Sequence, residues 1–262
     1  MAVEHPVYTA QHLSWQVQDK LILNDLSFAI GQGEFVGLIG PNGAGKSSLL
    51  RCLYRKITPT RGTLAFQQKS LAEYSRQQLA QKVAVVLQEP PNQFELTVFD
   101  VIAMGLTPHK GLLDFDTSDD RDRVVKACKQ VDLNDKLEQN FNSLSGGEKQ
   151  RAMIARAIVQ QPQVLLMDEP TNHLDIRHQL EVLHLARSLK ITVIVSIHDL
   201  NLAAAFCDRL ILLDHGRIVA DGDKQQVLCE KHIADVFGVS SAVDSHPFHD
   251  GQRITFNLAK PS

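Results

Sequence analysis

Short runs of apolar residues, each bounded by glycine or polar residues, recur along the chain and predict buried strands. The run at 35–39 follows a glycine turn, which in turn follows an alternating apolar and polar stretch at 21–30. A run that is apolar at every position is typical of a strand covered on both faces. Helical patterns separate the runs, and this alternation predicts a mainly parallel α/β sheet. Further strands are predicted at 83–87, 164–167, 191–197 and 210–213.

The middle of the chain shows helical spacing of its apolar positions instead of strand-like runs. We therefore predict a helical subdomain at 92–161, inserted into a core formed by 1–91 and 162–262. The segment 107–120 contains proline, glycine and several acids, which predicts an exposed loop. The tail beyond about residue 238 has no clear pattern. Within the insertion, helices are predicted at 98–104, 119–131 and 147–160.

Composition limits the classes of function. Of the 262 residues, 27 are Lys or Arg and 30 are Asp or Glu, so the near-balanced charge argues against general nucleic-acid binding. The four cysteines form no Cys-x-x-Cys pair, which favours reduced, mostly buried thiols in a cytosolic protein. The start of the chain does not resemble a signal peptide, and no apolar stretch reaches the ~20 residues of a membrane helix. We therefore expect any membrane role to come through a partner chain.

A glycine-rich loop joins the predicted strand at 35–39 to a predicted helix at 47–54. Residues 40–47, Gly-Pro-Asn-Gly-Ala-Gly-Lys-Ser, fit the pattern G-x-x-x-x-G-K-[ST]. Glycines allow successive N–H groups to surround an anion, and the helix that follows points its positive end at the same anion. Lys46 would supply charge to the β- and γ-phosphates, and Ser47 could ligate Mg²⁺. A plain glycine turn is the alternative, but the strand–loop–helix context favours nucleotide binding.

Two acidic residues follow the predicted strand at 164–167. Because parallel strands end at the same edge of a sheet, we expect Asp168 and Glu169 to lie beside the phosphate loop. Asp168 would hold Mg²⁺, directly or through water, and Glu169 would orient or deprotonate the attacking water. The alternative is that these acids simply end a strand at the solvent boundary, but their pairing with the loop favours catalysis.

A second helix start suited to anions occurs in Leu-Ser-Gly-Gly-Glu-Lys-Gln-Arg, residues 144–151. One ATP does not need two such sites from one chain. The economical hypothesis is that two chains pair head to tail and each supplies half of each site. A plain helix cap would explain Ser145 and the glycines, but not the full run or its position relative to the other motifs.

These motifs, in this order, resemble those of ATP-binding subunits of ABC transporters over about residues 7–240. The resemblance implies a P-loop NTPase core with a mainly parallel sheet, an antiparallel β edge and an inserted helical subdomain. It adds three elements: Gln88, which would sense Mg²⁺ and the γ-phosphate, a loop at 172–175 that signals between the two sites, and the switch histidine His198. Alone, His198 would be interpreted as a core or cap histidine, but its place after the strand at 191–197 favours the switch.

The resemblance also implies a role for each site residue. The catalytic residues would be Glu169 as the base, His198 and Gln88. ATP would be bound by Gly40, Pro41, Asn42, Gly43, Ala44, Gly45, Lys46, Ser47 and Ser48. The ATP of the opposite chain would contact Ser145, Gly146, Gly147 and Glu148. Mg²⁺ would be held by Ser47, Gln88 and Asp168.

One position departs from the family pattern. An aromatic residue often stacks on adenine a short way upstream of the phosphate loop, and alignment on Leu13 and Ser14 places Val17 there. Trp15, two residues earlier, fits the core equally well. How adenine is stacked is therefore left open.

A single cassette without a membrane span is typical of bacterial importers assembled from separate subunits. The segment 89–105, with 33–34 and 196–201, resembles importers of ferric siderophores, haem and cobalamin, in that order of preference, and would contact a coupling helix of the membrane subunit. The implied assembly is a homodimer of this chain with two integral-membrane permease subunits and a periplasmic substrate-binding protein, without nucleic acid. The chain would lie at the cytoplasmic face of the inner membrane. His246 and His249 are expected to be solvent-exposed and not a metal site.

Two other functions are open. A soluble ABC ATPase of DNA repair, translation or Fe–S assembly is one, but long coiled coils or a second cassette would be expected, and the sequence shows neither. A binding-only sensor is the other, and the presence of Glu169 and His198 disfavours it.

Overall fold

The computed structural model of the chain describes residues 6–87, 95–111, 114–115, 117–247 and 251–258. The strands are β1 (Pro6–Val17), β2 (Lys20–Gly31), β3 (Phe35–Ile39), β4 (Arg61–Phe66), β5 (Lys69–Ser70), β6 (Val83–Val86), β7 (Val164–Asp168), β8 (Thr192–Ser196), β9 (Arg209–Asp214), β10 (Arg217–Asp223), β11 (Val239–Ser245) and β12 (Gln252–Leu258). The α-helices are α1 (Lys46–Leu53), α2 (Arg76–Ala80), α3 (Val98–Ala103), α4 (Ser118–Gln130), α5 (Gly146–Gln160), α6 (Ile176–Ser188), α7 (Leu200–Phe206), α8 (Lys224–Val227) and α9 (Glu230–Phe237). Short 3₁₀ helices span Leu71–Glu73, Met104–His109, Asn134–Lys136 and Phe141–Ser143.

The chain forms two compact units, one from residues 1–73 with 194–262 and the other from 74–193. In the first unit, β2, β1, β4 and β5 form an antiparallel sheet in that order. This sheet confirms the predicted antiparallel β edge. Also in this unit, β9 pairs in parallel with β3 and antiparallel with β10. Every residue of β3 is buried, as its unbroken apolar run predicts.

The second unit contains the parallel pair β6 and β7 together with helices α3 to α6. Helices α3 and α4 pack on α5, which also contacts β6 and α6. Three of these helices begin where the sequence offers a capping box, at Thr97, Thr117 and Ser145, because each side chain accepts the N–H group three residues later. Strand-like pairing in the described part of 95–161 is limited to an isolated bridge between Thr97 and Asn140.

The helical segment predicted at 92–161 lies in the same compact unit as β6, β7 and α6. Two side chains of α5 bind the backbone of β6. Arg156 donates a 3.0 Å hydrogen bond to the carbonyl of Val85, and Gln160 donates a 2.9 Å hydrogen bond to the carbonyl of Val83. These bonds join α5 to β6. The compact unit is therefore larger than the predicted subdomain, whose bounds stay a prediction.

The tail beyond residue 238 forms a hairpin of β11 and β12 that the sequence pattern did not predict. Most side chains of both strands are exposed or half-buried, so neither strand has a clear apolar face, but Ile254 is buried. Asn201 of α7 anchors the hairpin, since its side chain donates to the carbonyl of Ile254 at 3.1 Å and accepts from its N–H at 2.8 Å. The loop predicted at 107–120 is wrong at both ends, since the 3₁₀ helix Met104–His109 reaches into it and α4 begins at Ser118.

The cysteines agree with the prediction of reduced, mostly buried thiols. Cys52, Cys128, Cys207 and Cys229 are free, and the first three are buried. Burial raises the pKa of Cys52 to about 12 and is the main cause that raises the pKa of Cys128 to about 11, so both remain protonated at neutral pH. Within the described part of the chain, no helix is both long and apolar enough to cross a bilayer.

Candidate nucleotide-binding site

The phosphate loop, residues 40–47, leaves the end of β3 and enters α1. Gly40 has φ of 143°, and a Cβ atom there would lie 2.1 Å from the carbonyl oxygen of Leu213. Gly45 has φ of 105°, and a Cβ atom there would lie 2.9 Å from a methyl group of Leu23. Any larger residue would have to displace a backbone or core atom, so this loop conformation requires glycine at both positions.

Lys46 is the charged group of this loop and is only 4% exposed. Its Nζ donates hydrogen bonds to the carbonyl oxygens of Gly40 at 2.8 Å and Pro41 at 3.1 Å. These bonds hold the ammonium against the loop at the start of α1. Burying an ammonium costs free energy, and an anionic ligand at this position would offset that cost.

Helix α1 starts differently from α3, α4 and α5. Its N-cap is Gly45, and no side chain among the described residues caps it. The first N–H groups of a helix carry partial positive charge and need acceptors. A phosphate is a suitable acceptor, so the whole predicted set at 40–48 forms a loop and first helical turn that suit an anion.

His198 also belongs to the first unit and is exposed just beyond β8. The N–H of Ile197 donates to the carbonyl of Leu38 in β3 at 3.1 Å. On the other side, the Asp199 carboxylate accepts from the N–H groups of Asn201 at 2.8 Å and of Leu202 at 3.1 Å and so caps α7. His198 is therefore held between a bonded strand end and a capped helix, and Asp199 performs the capping that was the alternative role for the histidine.

In the second unit, β7 ends at Asp168, which is buried, and Glu169 follows with φ of 50°. A glutamate in this left-handed region is strained, and such strain is common at functional sites. The Glu169 carboxylate accepts a 2.5 Å hydrogen bond from Nδ2 of Asn172. The sequence places Asn172 in the loop at 172–175 and does not by itself predict this contact, although the short Glu-x-x-Asn spacing could have indicated it.

The serine-glycine motif starts α5. Ser145 is the N-cap: its hydroxyl accepts from the N–H of Glu148 at 3.4 Å, and the Glu148 carboxylate accepts from the N–H of Ser145 at 2.9 Å. Glu148 also forms an ion pair with Lys136. That hydrogen-bonded ammonium is the main cause that lowers the pKa of Glu148 to about 2. Glu148 thus orders the first turn of α5, and its predicted contact with ATP stays a prediction.

Gln88 lies outside the described residues, in the gap between 87 and 95 that follows β6. At the proposed adenine position, Val17 ends β1 and is 46% exposed, whereas Trp15 is half-buried and pairs with Leu23 in β2.

We predict that Asn172→Ala lowers ATP turnover by about tenfold, equivalent to a barrier increase of ~1.4 kcal/mol. The physical reason is that the Glu169 carboxylate loses the amide that orients it. Phosphate release by the purified chain measures turnover, and a fluorescent ATP analogue measures affinity, which should be unchanged. Asn134→Ala, at an exposed position in the same unit, is the matched control. Full turnover in the Asn172 variant would show that the amide does not orient the carboxylate.

Comparison with known proteins identifies the family of this chain. The family model described as ABC transporter matches residues 23–172. The chain therefore belongs to the ABC transporter family, as an ATP-binding subunit. The family resemblance predicted from the motifs is confirmed.

Several relatives are similar over nearly the whole chain. The hemin import ATP-binding protein HmuV of Thermobifida fusca is 40% identical, covering 92% of this chain and 85% of its own length. The petrobactin import ATP-binding protein FpuC of Bacillus anthracis is 36% identical, covering 90% of each chain. An uncharacterised ABC transporter ATP-binding protein of Methanocaldococcus jannaschii is 37% identical, covering 91% of this chain and 94% of its own.

Solved structures share the fold. A metal-chelate type ABC transporter in an inward-facing conformation matches with a TM-score of 0.86 at 24% identity, over 97% of this chain and 98% of its own. The cbiO1 protein of Clostridium perfringens, part of the ABC transporter complex cbiONQ, matches with a TM-score of 0.76 at 28% identity, over 88% of this chain and 94% of its own. The predicted fold class is confirmed.

Proposed function

We propose that this chain is the ATP-hydrolysing subunit that powers an importer of an iron chelate, with a ferric siderophore as the first candidate. The observation that carries the proposal is the similarity to import ATP-binding proteins: relatives at 36–40% identity, covering at least 90% of this chain, are named for import of hemin and of petrobactin. The segment 89–105 of the sequence supports the same class of importer. Residues 98–103 of it form α3.

The chain's own residues supply the chemistry of hydrolysis. The loop at 40–47 and the start of α1, which has no side-chain cap, bind the phosphates. The Lys46 ammonium lies beside the transferred γ-phosphoryl group and stabilises its negative charge. Glu169 is the base that takes a proton from the attacking water, with its carboxylate oriented by Asn172. His198 contacts the γ-phosphate. Most of the acceleration comes from these positioned charges and donors and not from covalent chemistry.

Mg²⁺ fits the donors that the sequence offers. Oxygen ligands suit this ion, and Ser47, Asp168 and Gln88 supply hydroxyl, carboxylate and amide oxygens. Mg²⁺ usually keeps several waters and binds substrate phosphates, so nucleotide phosphates and water would complete the coordination. When bound, the ion would neutralise charge on the β- and γ-phosphates.

The proposal includes an assembly. Two copies of the chain close head to tail around two ATP molecules, so that the motif at 144–148 of one chain meets the nucleotide held by the other. Closure moves two membrane-embedded permease subunits, and a periplasmic binding protein delivers the substrate. The chain itself lies at the cytoplasmic face of the membrane. The serine-capped, glycine-rich start of α5 supports this pairing because it is a second helix end suited to phosphate.

Hemin is the second candidate substrate. The specific observation that favours it is sequence identity. Relatives named for hemin import are 38–40% identical to this chain, whereas the relative named for petrobactin import is 36% identical. The sequence motifs also favour haem import second, after import of a ferric siderophore.

ATP-driven uptake by the assembled importer tests the proposal. The chain is expressed with its permease in vesicles, and uptake of a ⁵⁵Fe-loaded siderophore and of hemin is compared with and without ATP. We expect ATP-dependent uptake of a siderophore, which Glu169→Gln abolishes and Glu138→Gln leaves intact. ATP-dependent uptake of hemin alone would favour the second candidate.

Two outcomes would contradict the importer. A chain that hydrolyses ATP but recruits no membrane subunit would be a soluble ABC ATPase. A chain that binds ATP without measurable turnover, alone or with its permease, would be a sensor.

A further inference from the structure

The first turn of α5 is covered by a side chain of α6. The imidazole ring of His178 lies on Gly147, where an added Cβ atom would be 2.5 Å from Cδ2 and 2.7 Å from Cγ of the ring. Cβ atoms do not approach ring atoms this closely, so a larger residue at Gly147 would have to displace the ring. Next to it, a Cβ atom on Gly146 would lie 3.4 Å from a methyl group of Leu174. The segment 174–178 therefore packs against both glycines of the motif.

The His178 ring is held in place by Asp175, the last residue of the loop at 172–175. Nδ1 lies 2.8 Å from Oδ1 of Asp175, and the same oxygen accepts the N–H of His178 at 2.9 Å, which caps α6. The backbone N–H of His178 is the largest cause that lowers the pKa of Asp175. Because the carboxylate is fixed by the cap, the orientation of the ring follows from the start of α6 and not from a free rotamer.

A second contact joins α6 to α5 about one turn further along. Glu181 accepts a 2.7 Å hydrogen bond from Arg177 on its own helix and one of 3.2 Å from Arg151 of α5. The carboxylate of Glu181 also lies 4.0 Å from Nε2 of His178. Helix α6 thus contacts α5 both at Gly147 and at Arg151, which restricts rotation of the start of α5 about its axis.

We propose that His178 is a positioning residue for the signature turn, residues 145–147. Its ring sets where the N–H groups of that turn lie, and the inference rests on the proposed function because those groups are expected to bind the partner chain's ATP. Just before the segment 174–178, Asn172 donates a hydrogen bond to the carboxylate of Glu169. Residues 169–178 therefore connect the catalytic carboxylate of one chain to the turn that the same chain offers to its partner.

This role differs from ordinary packing in what it changes. In the proposed pairing the signature turn binds the ATP of the partner chain, so loss of the ring should leave the affinity of a single chain for ADP intact. It should weaken only the steps that need two chains, which are ATP-dependent dimerisation and turnover. A purely structural histidine would instead lower the melting temperature and every binding constant together.

The test compares His178→Ala and His178→Phe in the full-length chain. Each is made in a Glu169→Gln background, where sedimentation with Mg²⁺ and ATP measures dimerisation, and in the native background, where phosphate release measures turnover. We expect His178→Ala to weaken dimerisation and to lower turnover, each by about tenfold or more. The affinity for ADP and the melting temperature should change little. His178→Phe keeps a ring over Gly147 and should recover most of the loss. His184→Ala, an exposed histidine on α6, is the matched control.

Each other outcome overturns the inference in a distinct way. Dimerisation and turnover of His178→Ala equal to those of the control would show that the ring does not position the turn. Parallel losses of ADP affinity and melting temperature would make it a packing residue only. Equal defects in the alanine and phenylalanine variants would assign the effect to the bond with Asp175 and not to the ring on Gly147. If the Glu169→Gln parent stays monomeric with ATP, the proposed pairing itself fails, and the inference fails with it.

Discussion

Glu169→Gln is expected to lower ATP turnover by ~10²-fold or more, the scale of a lost general base, while ATP still binds. The substitution keeps the size of the side chain and an oxygen that can accept the hydrogen bond from Asn172, so the geometry of the segment should persist. What it removes is the capacity to take a proton from water. Phosphate release by the purified chain measures turnover, and equilibrium binding of a fluorescent ATP analogue measures affinity.

The control for this variant is Glu138→Gln in the same unit. Glu138 is 77% exposed and lies 3.8 Å from Arg121, so its loss should change neither quantity. Near-normal turnover of Glu169→Gln would contradict the role of general base. Loss of ATP binding in the same variant would instead indicate that Glu169 contributes to the ground-state complex.

Lys46→Ala is expected to weaken ATP binding by about 10- to 100-fold, the range that a hydrogen bond to a charged group supplies. The ammonium is buried at the loop and held by the carbonyls of Gly40 and Pro41, so water cannot easily replace it as a phosphate ligand. Titration calorimetry with ATP measures the affinity. A melting curve without nucleotide separates this effect from a loss of stability.

Lys69→Ala is the matched control for the loop lysine. Lys69 lies on β5 in the same unit, is 47% exposed and lies 3.9 Å from Glu73, so its removal should leave ATP affinity unchanged. If Lys46→Ala bound ATP as tightly as this control, the loop would not be the phosphate site.

The elements that the sequence predicts well are those whose structure is determined by residues close together in the sequence. The run at 35–39 became β3, and the helix predicted at 119–131 became α4 because Thr117 caps it with Asp120. No strand is predicted at the position of β1, because the register of its pairing with β2 shifts at several points and the alternation of apolar and polar positions is interrupted. The strand depends on the neighbours with which it pairs and not on its own pattern.

In the candidate site, too, some features follow from residues close in sequence and others depend on contacts between distant residues. The phosphate loop, its lysine and the capped start of α5 could be inferred from residues adjacent in sequence, because glycine conformations and helix caps depend on the local backbone. The contact of His178 with Gly147 and the anchoring of Ile254 by Asn201 could not, because they join residues 31 and 53 positions apart. Such contacts arise only when separate elements pack together, and no local pattern of polarity specifies which side chains then meet.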